Sequence, residues 1–135
     1  MKKPLFMSLL LVMLFFFFVG GAWAVSQTGL RVAEGAICRQ VLDLACMHPN
    51  TRFDVQVGKL YCFTRIKGAE NSTAVIHAWY FEGKERARVR LNVYTGNWRT
   101  YSAKIIQPHE IGVWHVDILS ADGLFLQTLQ FETLP

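Results

Sequence analysis

The sequence predicts an all-β domain, an immunoglobulin-like antiparallel β-sandwich of about seven strands, preceded by a signal peptide. Three observations lead there. Short stretches rich in Val, Ile, Thr and aromatic residues follow one another from Leu30 to the end. Clusters of Gly, Pro, Asn and Asp separate them. Two of the stretches alternate strictly between apolar and polar residues, the pattern of a strand with one wet face.

The elements follow in order. Leu30–Arg39 is the first expected strand. Arg39–Met47 is expected to form a single helical turn through Val41, Leu42 and Leu44. Lys59–Lys67 is the second strand, closed by the turn residues Gly68 to Ser72. Ala74–Glu82 is the third. Its Val75-Ile76-His77-Ala78-Trp79-Tyr80-Phe81 run is apolar on both faces, so it belongs inside a sheet, with its second face covered by a loop or a partner. Glu82-Gly83-Lys84 turns the chain into Glu85–Tyr94, the clearest alternation of all. There Ala87, Val89, Leu91 and Val93 point one way, and Arg86, Arg88, Arg90, Asn92 and Tyr94 the other. Thr95-Gly96-Asn97 leads to Trp98–Ile106, and Gln107-Pro108 to Gly112–Ser120. In the latter, Trp114, Val116 and Ile118 face in while His115 and Asp117 face out. Ala121-Asp122-Gly123 is the strongest hairpin signal and leads into Leu124–Glu132.

Composition divides the chain into two parts. Apolar residues make up 52% of the whole, and 18 of the first 24 residues are apolar. The remainder is about 47% apolar, an ordinary globular share. Met1-Lys2-Lys3, an uncharged run with four consecutive phenylalanines, and Ala22-Trp23-Ala24 form the three parts of a secretory signal peptide, with cleavage expected after Ala24. The competing reading is an uncleaved anchor over residues 5–25, long enough to span a bilayer. Either reading exports residues 25–135, one β domain, to the periplasm or the cell surface. Without Lys2 and Lys3 the formal charge falls from +4 to +2. That balance gives nucleic-acid binding little support.

Cys38, Cys46 and Cys62 all lie beyond the export segment, where a disulfide is permitted. A Cys38–Cys62 bridge joins two expected strands across a loop of about 25 residues and is worth roughly 3–4 kcal/mol. Cys38–Cys46 is the alternative, and so are three buried thiols with no bridge. The cysteines and histidines lack the paired spacing of a closed zinc site, so no metal and no cofactor are expected.

Three groups of residues carry candidate chemistry. Arg86, Arg88 and Arg90 on one strand face form a linear positive ridge suited to carboxylate or phosphate. Its plain reading is a solvated face that discourages edge pairing. Trp79, Tyr80, Trp98, Tyr101 and Trp114 form an aromatic set that would stack on sugars if exposed, or fill the core if buried. Ser102, Ser120, His77, His115 and Asp117 hold the residue types of a catalytic triad without a nucleophile-elbow motif.

The segments Lys59-Leu60-Tyr61-Cys62-Phe63-Thr64-Arg65-Ile66-Lys67-Gly68-Ala69, His77-Ala78-Trp79-Tyr80-Phe81, Trp98-Arg99-Thr100-Tyr101-Ser102-Ala103-Lys104 and Gly112-Val113-Trp114-His115-Val116-Asp117 occur in that order. Asp122-Gly123 and Phe131 close the series. Together they resemble the bacterial family known as domain of unknown function 2914, over about Val32 to Thr133. The resemblance implies an all-β, immunoglobulin-like domain of exported or membrane-tethered proteins with no established activity. It carries over no catalytic residue. The family tends to place cysteine at the positions of Cys38 and Cys62, which favours that pairing. Cys46 departs from the family pattern, which tends to have a charged residue before the proline that Pro49 matches.

The functional expectation is a non-enzymatic binding or structural module of the bacterial cell envelope. It would present Arg86, Arg88 and Arg90, together with Arg99, Tyr101 and Lys104 of the Trp98–Lys104 strand, to an envelope protein or an anionic envelope polymer. The membrane would be met only through a retained N-terminal segment. The alternative is a scaffold or accessory subunit of an envelope complex, with Cys46 free for an intermolecular bridge. A hydrolase built on Ser102 or Ser120 with His77 or His115 is the third reading.

Overall fold

Two sheets pack face to face in a computed structural model that describes residues 29–135. The signal peptide or anchor expected over residues 1–24 lies outside the described residues. The four-stranded sheet has the order β2-β1-β4-β7, from β1 (Arg31–Leu42), β2 (Ala45–Pro49), β4 (Lys59–Lys67) and β7 (Asn97–Ile105). The five-stranded sheet runs β3-β9-β8-β5-β6, from β3 (Arg52–Asp54), β5 (Thr73–Phe81), β6 (Lys84–Val93), β8 (Gly112–Ser120) and β9 (Phe125–Leu134). β1, β4 and β7 against β9, β8, β5 and β6 is the strand arrangement of an immunoglobulin-like sandwich. Among the described residues no helix is long and apolar enough to cross a membrane.

The seven expected strands are all present, two of them with the expected bounds, Lys59–Lys67 and Gly112–Ser120. Two strands were not expected. The helical turn expected over Arg39–Met47 is instead a β-hairpin. β1 runs on to Leu42, which registers against Ala45, and the two residues between them make the turn. Asp43 and Leu44 both have positive φ, 49° and 56°, as a type I′ turn requires. β3 follows at once. The Asn50 side chain accepts hydrogen bonds from the Thr51 and Arg52 amides and bends the chain into it. β3 then pairs in parallel with β9. Asp54 caps a 3-10 turn, Val55–Val57, by accepting from the Gln56 amide.

The core lies between the sheets and is centred on aromatic rings. The Trp114 ring packs between Phe81 and Phe131, with centroids at 4.7 and 5.7 Å. Phe131 also meets the edges of Trp79 and Phe53. Ile37, Leu60, Cys62, Ile66, Val75, Val116 and Ile118 complete it. The alternations read from the sequence hold. Trp114, Val116 and Ile118 are fully buried while His115 and Asp117 are not. β5 is an interior strand, flanked by β6 and β8. On its outer face the small Ala78 is buried in the row between Arg88 and Asp117.

The disulfide joins Cys38 to Cys46, and Cys62 is a free buried thiol. This corrects the expected Cys38–Cys62 pairing, and the register explains why. Ile37, not Cys38, lies opposite Cys62 on β4, while Cys38 lies opposite Tyr61. Successive side chains on a strand point to opposite faces. Cys62 therefore faces the core and Cys38 the outer side of the same sheet, where the β1–β2 hairpin supplies Cys46. Burial pushes the Cys62 thiol up, far from its ionised range. Without reductant, the folded protein should therefore resist alkylation, and the unfolded protein should take one label, at Cys62. Mass spectrometry of the digested product checks this. Replacing both Cys38 and Cys46 by Ala should cost about 2–3 kcal/mol, the loop-closure value for a span this short. Denaturant unfolding measures it.

Candidate functional site

The expected binding residues do not form one patch. Arg88 and Arg90 lie on the outer face of the five-stranded sheet, opposite Ala78 and Ile76. Arg88 is engaged by Glu85 at 2.7 Å. Arg86 does not share their face, which corrects the three-arginine ridge. A bulge at Trp79/Tyr80 sets Glu85 against Tyr80 and Ala87 against Trp79, leaving Arg86 as the extra residue. Its guanidinium lies over the Phe81 ring, 5.4 Å from the centroid, and 4.0 Å from the buried Glu110 carboxylate. Arg99 and Tyr101 lie on the outer face of the other sheet. Lys104 opposes the buried Leu60 and so points to the inner side of β7.

The aromatic set is likewise dispersed. Trp79 and Trp114 are core residues, and Trp98 is half-buried against Tyr94. Tyr80 stacks on His115 on the outer face of the five-stranded sheet, at 4.6 Å. Tyr101 is exposed beside Tyr61.

Ser102 does meet His77, with Oγ 2.7 Å from Nδ1, but inside the sandwich and not in a cleft. The Trp79 indole N–H donates to Ser102 Oγ at 3.0 Å. The other imidazole nitrogen, Nε2, is 3.1 Å from Thr64 Oγ1, so it faces a hydroxyl and no carboxylate. One set of donors satisfies the whole chain. Trp79 donates to Ser102, Ser102 donates to unprotonated Nδ1, and Nε2–H donates to Thr64. His77 is therefore held neutral, and burial lowers its pKa from 6.5 to about 4. The group spans both sheets, since His77 and Trp79 sit on β5 while Thr64 and Ser102 sit on β4 and β7. Ser120 serves the β8–β9 turn, accepting from the Leu124 amide.

One cleft among the described residues was not anticipated. The β1–β2 hairpin arches back over the outer face of its own sheet. Leu44, at its tip, accepts a hydrogen bond through its carbonyl from Arg99 Nη1 on β7, two strands away. Phe63 shows the cover directly: it points outward from β4, yet it is 5% exposed. Beneath the arch lies a cleft of about 670 Å³. The roof is Leu44, Ala45, Cys46 and Pro49, and the floor includes Ala36, Phe63, Arg65 and Arg99. The Cys38–Cys46 bridge ties roof to floor.

Arg65 and Arg99 are directly opposed across β4 and β7. Arg65 is held by Asn97, Nε to Oδ1 at 2.8 Å, and by Glu34, Nη1 to Oε1 at 3.2 Å. Among the described residues Arg99 has no carboxylate partner. Of these residues only Arg99 was selected from the sequence. The Glu34–Arg65–Arg99 row depends on strand register, and the roof on a hairpin with no glycine at its turn.

Fold and site together define an immunoglobulin-like sandwich with a roofed, arginine-lined cleft on one outer face. Residues 72–133 match the model of the family described as Protein of unknown function (DUF2914). The match supports the family read from the sequence over this segment, and the part of the resemblance before residue 72 lies outside it. It covers β5 to β9, so Asn97 and Arg99 come from the matched segment, while the roof and the remaining floor precede it. No curated protein matches the chain.

Proposed function

We propose that the chain is an exported, non-enzymatic binding module of the bacterial cell envelope, and that its partner seats in the cleft beneath the β1–β2 hairpin. The observation that carries this reading is the roof itself. A disulfide-tied hairpin covers Phe63 and leaves two opposed arginines facing a cavity. A solvated sheet face has no need of such a cover. The scaffold reading based on a free Cys46 loses its support, because Cys46 is bonded to Cys38 within the chain.

A photo-crosslinking residue placed at Leu44 in producing cells tests the reading. A discrete partner adduct from position 44, absent from position 90 on the opposite face, is the expected result. Adducts from position 90 with none from position 44 would move the binding surface to the Arg88–Arg90 face and overturn the cleft assignment.

A further inference from the structure

We infer that Arg65 and Arg99 form a carboxylate-binding pair, and that the cleft takes an acidic side chain or chain terminus of a partner protein. The inference rests on the cleft being the binding site. Two arginines directly opposed in an antiparallel pair stand about 5 Å apart at Cβ, and like charges so placed destabilise the empty sheet. The repulsion is relieved when an anion lies between the two planar guanidinium groups, each of which can grip it with paired N–H donors.

The geometry is preset for such a ligand. Asn97 on β7 and Glu34 on β1 each take one donor of Arg65, and the Leu44 carbonyl takes one donor of Arg99. A guanidinium carries five N–H donors, so donors remain on both residues. Charge selects the class of anion. Two arginines and Glu34 leave the site at one net positive charge, which matches a monoanionic carboxylate better than a phosphate dianion. The apolar floor and roof, Ala36, Phe63, Leu44 and Pro49, suit the body of a peptide segment around that carboxylate.

The test is an NMR titration of the 15N-labelled protein, in the form recovered from producing cells, with an acetylated, amidated tetrapeptide bearing one glutamate. Its glutamine counterpart and inorganic phosphate are run in parallel. The glutamate peptide should shift the Arg65 and Arg99 side-chain signals saturably, with a Kd on the order of millimolar. The glutamine peptide should not. Arg99→Gln should weaken binding about tenfold or more, the range for losing a charge-assisted pair. Arg99→Lys, which keeps the charge without the fork, should recover only part of that. Arg88→Gln, on the far face, should leave affinity unchanged.

Equal shifts from both peptides, or affinity unmoved by Arg99→Gln, would overturn the carboxylate assignment. Phosphate binding more tightly than the glutamate peptide would overturn the charge argument. A partner crosslinked at position 44 whose capture survives Arg99→Gln would remove this inference and leave the binding-module reading standing.

Discussion

Between pH 7.5 and pH 4.5 the domain should lose about 2–3 kcal/mol of stability through His77 alone. The direction follows from linkage. An unfolded chain binds a proton at His77 with a pKa near 6.5, whereas the folded chain does so only near 4. Between those values the unfolded state holds more protons, so stability falls as pH falls. The contribution is complete above pH 6.5, is lost progressively below it, and does not change further below about pH 4. The hydrogen bonds give the loss its structural meaning. A proton on Nδ1 makes that nitrogen a donor toward Ser102 Oγ, which then loses its acceptor and must receive from both His77 and Trp79. The Nδ1–Oγ hydrogen bond reverses direction, and the Ser102 hydroxyl hydrogen is left without its acceptor inside the sandwich.

Unfolding in urea at a series of pH values measures the effect. His77→Gln supplies a donor and an acceptor but does not titrate, so its stability should lack this component of the slope. Carboxylates contribute equally to both proteins and cancel in the difference. If the variant fails to fold, the imidazole signals of the native protein serve instead. They should stay those of the neutral ring down to about pH 4. A ring titrating near 6.5 in the folded protein would overturn the assignment.

His77 also shows how much of the molecule can be read from the chain. It stands two residues from Val75 and from Trp79, so period two alone places it on the core face of β5. Its partners are invisible in the sequence, because Thr64 and Ser102 lie on strands of the other sheet. The same division holds elsewhere. The alternation of β6 and β8 was legible, as was the Asp122-Gly123 turn, since each is written in adjacent residues. The β1–β2 turn was not, because Leu44 adopts positive φ without being glycine or asparagine. One bulged residue moved Arg86 off the face that alternation assigned to it. Parity along β1 turned Cys38 away from Cys62, and parity is set by pairing, not by spacing. The cleft was hidden for the same reason: its arch is a local hairpin, but its floor is three strands in register.

Trp79→Ala should cost about 4 kcal/mol, the largest single effect expected of a core substitution here. Two losses combine. The indole is fully buried and packs against the edge of Phe131, so its removal leaves a cavity beside the ring that also supports Trp114 and Phe53. It also donates to Ser102, so the His77 network loses its outermost donor. Trp79→Phe separates the two, since it keeps most of the ring volume and removes only the N–H. Its cost should be about 1–2 kcal/mol, the range for losing a buried hydrogen bond together with some packing. Urea midpoints at pH 7.5 give both values. Small domains have total stabilities of roughly 5–15 kcal/mol, so Trp79→Ala consumes much of the reserve, and its thermal midpoint should fall sharply. Trp79→Phe should remain folded. Equal costs for the two variants would assign the stability to the hydrogen bond and not to the ring, against the packing seen around Phe131.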